Sequence, residues 1–432
     1  MAVRSRGGVF AGALAVLVLG LAAGLSPLPA AAERLTISCG RFPVEQTLCR
    51  AAAQQWAESN GHEVRMVAPP AVSDDRLALY EELLGVGARQ LDVLEIDVVW
   101  PGLLAEHLLD LGPALGEESD RFFPSLIANN TVDGRLVALP WFLDLGLLFY
   151  RRDLLEAAGL TVPDTWRQLE DAAVILQDTH RATGDRRFWG FIWQGWSYEG
   201  LTCNVMEWLG SWGGGRIVNA GGKVTVDNLR AEYALKRAGD WLGIISPPSV
   251  LMQTERESLD QFMNGQAAFM RNWPYAWTEL NAPQSPMRGK VGVALLPRGR
   301  PDDPHPATLG GWQLAVSRYS EHPELAADLV RYLTSPEVQR ERALAGGYIP
   351  TRRVLLEEPA LLAAEPFLEL LTRPDLALVA RPSTVTGANY AAVSKRVQRA
   401  VVRMLDDQAA VEAALPALAA DLEQLSEEGT AW

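Results

Sequence analysis

The sequence predicts an α/β protein of two or three domains, and three observations carry that prediction. Its 432 residues exceed one ordinary core at roughly 100–200 residues per domain. Short apolar runs alternate with segments of helical periodicity through the first hundred residues, the pattern of a parallel sheet with crossover helices. The stretch from Leu136 to Tyr150 has Asp144 as its only charge, as strands buried on both faces do.

At the N-terminus, Arg4 and Arg6 precede an uncharged apolar stretch from Val9 to Leu25. Ser26-Pro27-Leu28-Pro29 then breaks any helix, and Ala30-Ala31-Ala32 offers a small-residue cleavage site. This is the pattern of a secretory signal peptide over 1–32; an uncleaved membrane anchor is the alternative. No Cys follows the apolar stretch to carry a lipid, so the expected product is freely soluble and periplasmic. Leu35 to Cys39 then reads as a strand. Val44, Leu48, Ala52 and Trp56 recur at helical spacing up to the stop at Asn60-Gly61. A strand over His62 to Val67, a helix over Asp74 to Leu84 and a strand over Leu91 to Ile96 follow. Pro163-Asp164-Thr165-Trp166 opens a further helix, and Pro297 to Pro306 reads as a connector. Gln313 to Val316 is strand-like, helices start at Pro323 and at Ser335-Pro336, and the tail from about Tyr390 to Glu428 is helical.

Composition excludes several classes of function. With 39 Lys+Arg against 53 Asp+Glu the formal charge is -14, so no positive field attracts nucleic acid. Cys39, Cys49 and Cys203 show no zinc spacing and the five histidines are scattered, so no metal or cofactor is expected; Cys39 with Cys49 is the local candidate for a disulfide in an oxidising compartment. Hydrolase, P-loop and dinucleotide motifs are absent. A glycoside hydrolase stays as the alternative, because its acid pair is set by folding and not by spacing. The 14 Trp against 11 Phe and 9 Tyr hint at a binding surface.

Four segments combine charge with aromatic rings. Asp97 follows the third strand, where open α/β sheets bind ligands, although a helix N-cap explains an acid there equally. Asp144 lies within Trp141-Phe142-Leu143-Asp144-Leu145-Gly146, and a lone buried carboxylate is costly without partners. Arg271 is interleaved with Trp273, Tyr275 and Trp277. Gly310-Gly311 precedes Trp312, two glycines that let backbone approach a ligand. Indole faces stack on sugar C–H faces while carboxylates accept hydroxyl hydrogens; each Trp is also explicable as core. Glu45, in the first turn of its helix, is equally explained by the helix dipole.

These segments resemble, along nearly the whole mature chain, the extracellular solute-binding proteins of sugar ABC importers, most closely their trehalose/maltose-binding branch. The matching stretches are Ile96 to Gly102, Asp144 to Arg151, Trp189 to Gly195 with Tyr198-Glu199-Gly200-Leu201, Arg271 to Trp277 and Ala307 to Trp312. The resemblance implies a two-lobed fold with a hinge crossed three times: lobe I over 33–142 and 301–355, lobe II over 143–300 and 356–432. It implies no catalysis. It implies capture of one disaccharide such as trehalose, maltose or sucrose by a monomer that hands it to membrane permease subunits. By the family's pattern Glu45, Arg76 and Asp97 approach the sugar from the first lobe, Asp144 lies at the hinge, Trp273 and Trp312 stack on rings, and Arg381 reaches in from the second lobe. Phe142, where relatives can carry Tyr, removes a hydroxyl, and Leu145 replaces the usual Ala. Trp277 and Gly311 complete the expected set, and Asp97 and Asp144 are expected to be ionised.

Overall fold

The computed structural model describes residues 32–407 and 410–428, together with Met1, Ala2, Gly8 and Trp432. The proposed signal peptide lies almost wholly outside the described residues. Among them no helix is long and apolar enough to cross a membrane.

Two sheets organise the chain. The larger runs in the order β12 (Ile349–Pro350), β6 (Leu139–Leu145), β11 (His305–Val316), β3 (Val93–Asp97), β1 (Arg34–Ser38), β2 (Glu63–Val67), with β13 (Leu376–Val379) added to the start of β11. The smaller has four strands, β10 (Val291–Leu295), β7 (Leu147–Arg151), β9 (Ala267–Asn272) and β8 (Trp189–Ile192). A two-stranded ladder, β4 (Thr131–Val132) with β5 (Arg135–Leu136), stands apart.

The periodicity arguments place the early elements within a residue or two. Pro43–Asn60 is helical, begun by proline at its first turn and ended by Gly61 at φ 71°, a left-handed cap that glycine adopts without strain. Thr165 closes a capping box with Gln168 at the start of Trp166–Ala182. Ser335 accepts from the Val338 amide to cap Pro336–Gly346. The helical tail is two helices, Tyr390–Asp406 and Val411–Glu428.

Two expectations change. β1 pairs parallel to β2 and β3 as the alternation requires, but β11 runs antiparallel to β3 and β6, so the sheet is mixed. The expected connector ends before His305: β11 begins there, and Pro306 is accommodated within the strand. Cys39 and Cys49 form a disulfide with Cα atoms 6.5 Å apart, fastening the end of β1 to the first long helix. Cys203 is a buried free thiol.

The tryptophan excess is mostly core. Trp56, Trp141, Trp166, Trp193 and Trp208 are fully buried; Trp166 and Trp208 both pack on Trp241, at 4.9 and 5.8 Å. A large ring that fills a core is the commoner use of Trp.

The chain passes between the sheets at Gly146, between β6 and β7. It returns between β10 and β11; after β12 it runs through short helices to β13, on the start of β11, and then into the C-terminal helices. Gly146 lies over the Glu207 carboxylate and Arg271, where any added Cβ would collide with both. That is a physical reason for glycine at the crossing.

Candidate functional site

β11 sets the site's geometry by register. Trp312 is opposite Asp97 on β3, and Gly310 is opposite Asp144 on β6, with a bulge between Trp312 and Gln313. A bulge re-aims side chains at the end of a ladder. A Cβ on Gly310 would stand 3.1 Å from the Trp273 ring and 3.2 Å from Asp144, so glycine lets the indole lie against the strand. Gly311 takes φ +116°, open to glycine at little cost.

The cavity these residues enclose lies between the two sheets. Arg41, Asp97, Asp144, Gly310, Gly311 and Trp312 line it from the larger sheet and its loops. Tyr198, Glu199, Glu255 and Trp273 face them from elements around the smaller one. Its volume is about 30 Å³, against the several hundred Å³ typical of a ligand pocket, so the two halves stand closed over it. Polar contacts beside the cavity join them. Arg381 donates to Asp97 at 3.1 Å and to Glu199 at 2.7 Å, and the Glu199 amide, opening a helix, donates to Asp74 at 3.0 Å.

Of the expected residues, Asp97, Asp144, Trp273, Gly311, Trp312 and Arg381 come together on this cavity. Glu45 and Arg76 lie behind it. Arg76 places its guanidinium 4.5 Å from the Trp312 ring and 3.2 Å from Glu95, and Glu45 accepts from the Arg41 amide at 2.8 Å. Phe142 does not line the cavity. It is buried against Tyr348, at 4.8 Å between ring centres, with the Arg342 guanidinium 5.2 Å from its ring. Trp277 is partly buried against the core, one turn beyond the site. Arg271 serves from below: it is fully buried, forks onto Glu207 at 3.0 and 2.5 Å, and stands 3.8 Å from the Trp273 ring. Trp273 is fixed further by its indole N–H, which donates to Glu255 at 3.0 Å.

Sequence reasoning missed Arg41, Glu199 and Glu255. Glu199 was within reach, since it starts a helix and sits in the Tyr198-Glu199-Gly200 motif. Here it accepts from Arg381, Ser394 and Tyr390.

Burial shapes the site's acids. Asp144 is pushed up to about 7 by desolvation, with Glu45 and Asp97 adding to the rise and Arg41 opposing it. Full ionisation, expected from the sequence, therefore does not describe Asp144 at neutral pH. Glu95 is pushed up to about 8 by burial and by Glu45; Glu45, despite its own burial, is held low by Arg41 and Arg342. Glu365, elsewhere, is raised to about 8 by burial. An acid whose folded pKa exceeds its unfolded value leaves the folded chain holding more protons, so stability falls as pH rises through that window. Between pH 5 and 8 the unfolding free energy is expected to fall, by up to about 1.4 kcal/mol per pH unit for each such group, and the urea midpoint with it. Asp144→Asn should flatten the slope; a midpoint that climbs over this range would contradict the assignment.

Two α/β halves closed over a shared, aromatic and acid-lined cavity define a two-lobed binding protein. Residues 54–340 match the model of the bacterial extracellular solute-binding protein family, and the chain belongs to that family. A probable ABC transporter-binding protein of Deinococcus radiodurans is 42% identical over 418 residues, 96% of this chain and 99% of that one. The maltose-bound MalE3 of T. maritima superposes with a TM-score of 0.84 at 37% identity, covering 91% of this chain and 100% of that one. An ABC transporter solute-binding protein from Thermotoga lettingae, bound with alpha-D-tagatose, gives 0.80 at 25% identity over 91% and 99%. These are binding proteins and not enzymes, and they give the hydrolase alternative no support.

Proposed function

We propose that this protein captures one neutral disaccharide of the α-glucoside type (trehalose, maltose or sucrose) in the cavity between its lobes and delivers it to the membrane permease subunits of an ABC importer. It acts as a periplasmic monomer after loss of residues 1–32. The observation that carries the reading is the cavity itself, where the indoles of Trp273 and Trp312 stand with the carboxylates of Asp97 and Asp144. Flat apolar rings beside hydroxyl acceptors suit a pyranose. The maltose in the T. maritima relative and the transporter named for the D. radiodurans relative support it. Lobe I is 33–142 with 301–355 and lobe II is 143–300 with 356–432, a division supported by the passages of the chain between sheets near these boundaries.

A cavity of about 30 Å³ is too small for a disaccharide, so sugar enters an opened form, and a closed form around it, with contacts to both lobes, is favoured by its differential affinity. Calorimetry against trehalose, maltose and sucrose should give one site of micromolar or tighter affinity, about -8 kcal/mol, and small-angle scattering a smaller radius of gyration with sugar. Asp144→Ala should weaken binding about ten- to hundredfold. No heat from any saccharide, or a sugar recovered hydrolysed, would end this reading.

A further inference from the structure

Arg41 carries an inference that rests on the sugar-binding reading and sharpens it. Its backbone is fixed on every side. Cys39 is tied to Cys49, the Gly40 amide donates to Glu95 at 2.5 Å, and the Arg41 amide donates to Glu45 at 2.8 Å. Gly40 takes φ +84°, and a Cβ there would run into the Gln46 backbone. The loop is therefore built to present one side chain. That side chain lines the cavity with its guanidinium 4.9 Å from the Trp312 ring.

What the guanidinium lacks is hydrogen bonds. Its side chain is 8% exposed, and its nearest acids, Glu45 and Asp144, both stand at 3.8 Å, too far for a hydrogen bond. Nε and Nη2 of Arg41 have no hydrogen-bond partner, and neither has Oδ1 of Asp144. A buried donor or acceptor left unpaired is costly, and here Nη2 of Arg41 and the Asp144 carboxyl, 3.8 Å apart, stand side by side on the same wall of the cavity. The other lining cation, Arg381, already spends Nη1 on Glu199 and Nη2 on Asp97. Arg41 is the lining cation whose terminal donor remains uncommitted.

We propose that Arg41 is a ligand-contacting, specificity-determining residue: with Asp144 it holds two neighbouring hydroxyls of the ring stacked on Trp312, the guanidinium donating to one and the carboxylate accepting from the other. A neutral vicinal diol matches this pair because each hydroxyl both donates and accepts. An anionic sugar fits poorly, since Asp97, Asp144, Glu199 and Glu255 outnumber the two arginines on the lining.

The test is calorimetry on the mature chain with trehalose, maltose and the monodeoxy derivatives of whichever binds, using the parent, Arg41→Ala and Arg41→Lys. The parent is expected to lose about ten- to hundredfold on removal of one particular hydroxyl. Arg41→Ala should bind the intact sugar about that much more weakly, yet show no further loss with that same deoxy derivative. Its ligand-free melting temperature is expected to fall, because buried Glu45 and Asp144 lose the cation beside them, so affinity is read on protein held well below that temperature. Should Arg41→Ala not fold, Arg41→Lys serves for the same comparison, a point charge being unable to reproduce the planar fork. If the parent binds sugar and both variants bind it as tightly, Arg41 is not a contact and the transport reading stands alone. If the parent binds no saccharide, both readings fall together.

Discussion

Trp312→Ala is expected to lower stability by about 3–5 kcal/mol, the usual cost of truncating a buried aromatic, and to weaken sugar binding by at least about tenfold. The family resemblance implies a ring that stacks on sugar. The structure gives the ring two roles. One side forms cavity wall; the rest packs edge-on to Trp100 at 5.4 Å between ring centres, with the Arg76 guanidinium 4.5 Å away. Only 2% of the residue is exposed. Removing it opens a hole beside two arginines, strips Arg76 of its aromatic partner and leaves Arg41 only Phe42, 5.2 Å away. Urea unfolding reads the first effect and calorimetry on the folded fraction the second. Trp312→Phe, which keeps much of the volume, should recover most of the stability and less of the affinity. A Trp312→Ala protein as stable as the parent would show that this ring fills no core.

The α/β frame was legible because it is written locally. Apolar spacing located β1, β2, β3 and the helices between them, and capping residues located the helices from Trp166 and Pro336. What sequence alone did not yield depends on pairs far apart in the chain. Met270-Arg271-Asn272 read as part of a binding motif because a cation stood among aromatics. In fact β9 is buried at every residue, and Arg271 is neutralised by Glu207, 64 positions away. No periodicity announces that pairing. Arg41 belongs to no motif in the sequence, so nothing local singles it out. It becomes a candidate only once β6 and β11 bring Asp144 and Trp312 beside it.

Asp97, Asp144, Trp273 and Trp312 stand out as charges and rings in their own segments, Arg381 only through the family resemblance, and the fold gathers all five. Phe142 came through the resemblance as well, yet its ring turns to Tyr348 instead of the cavity. Alternation does not separate it from Asp144, because the ladder is regular from Phe142 to Leu145 and the shift falls between Pro140 and Phe142; the ring is instead occupied by Tyr348 and the Arg342 guanidinium.

Glu207→Ala should be the most destabilising change away from the cavity, again by about 3–5 kcal/mol, because it leaves a guanidinium buried without its counter-charge. Both side chains are 1% exposed. Glu207 also accepts from the Thr308 amide at 3.3 Å, so the same carboxylate ties the helix Glu199–Ser211 to β11. The loss should persist at high salt, since buried pairs are little screened. It should also reach the site. Arg271 stands under the Trp273 ring, and an arginine released from its fork no longer fixes that indole, so sugar affinity falls with stability. Replacing the pair together, as Glu207→Leu with Arg271→Met, removes the unpaired charge and should recover much of the stability but not the affinity. Urea midpoints for the three proteins, with calorimetry on each, decide the matter. A Glu207→Ala protein within about 1 kcal/mol of the parent would mean that Arg271 finds water or another acid, and that Trp273 is held by Glu255 alone.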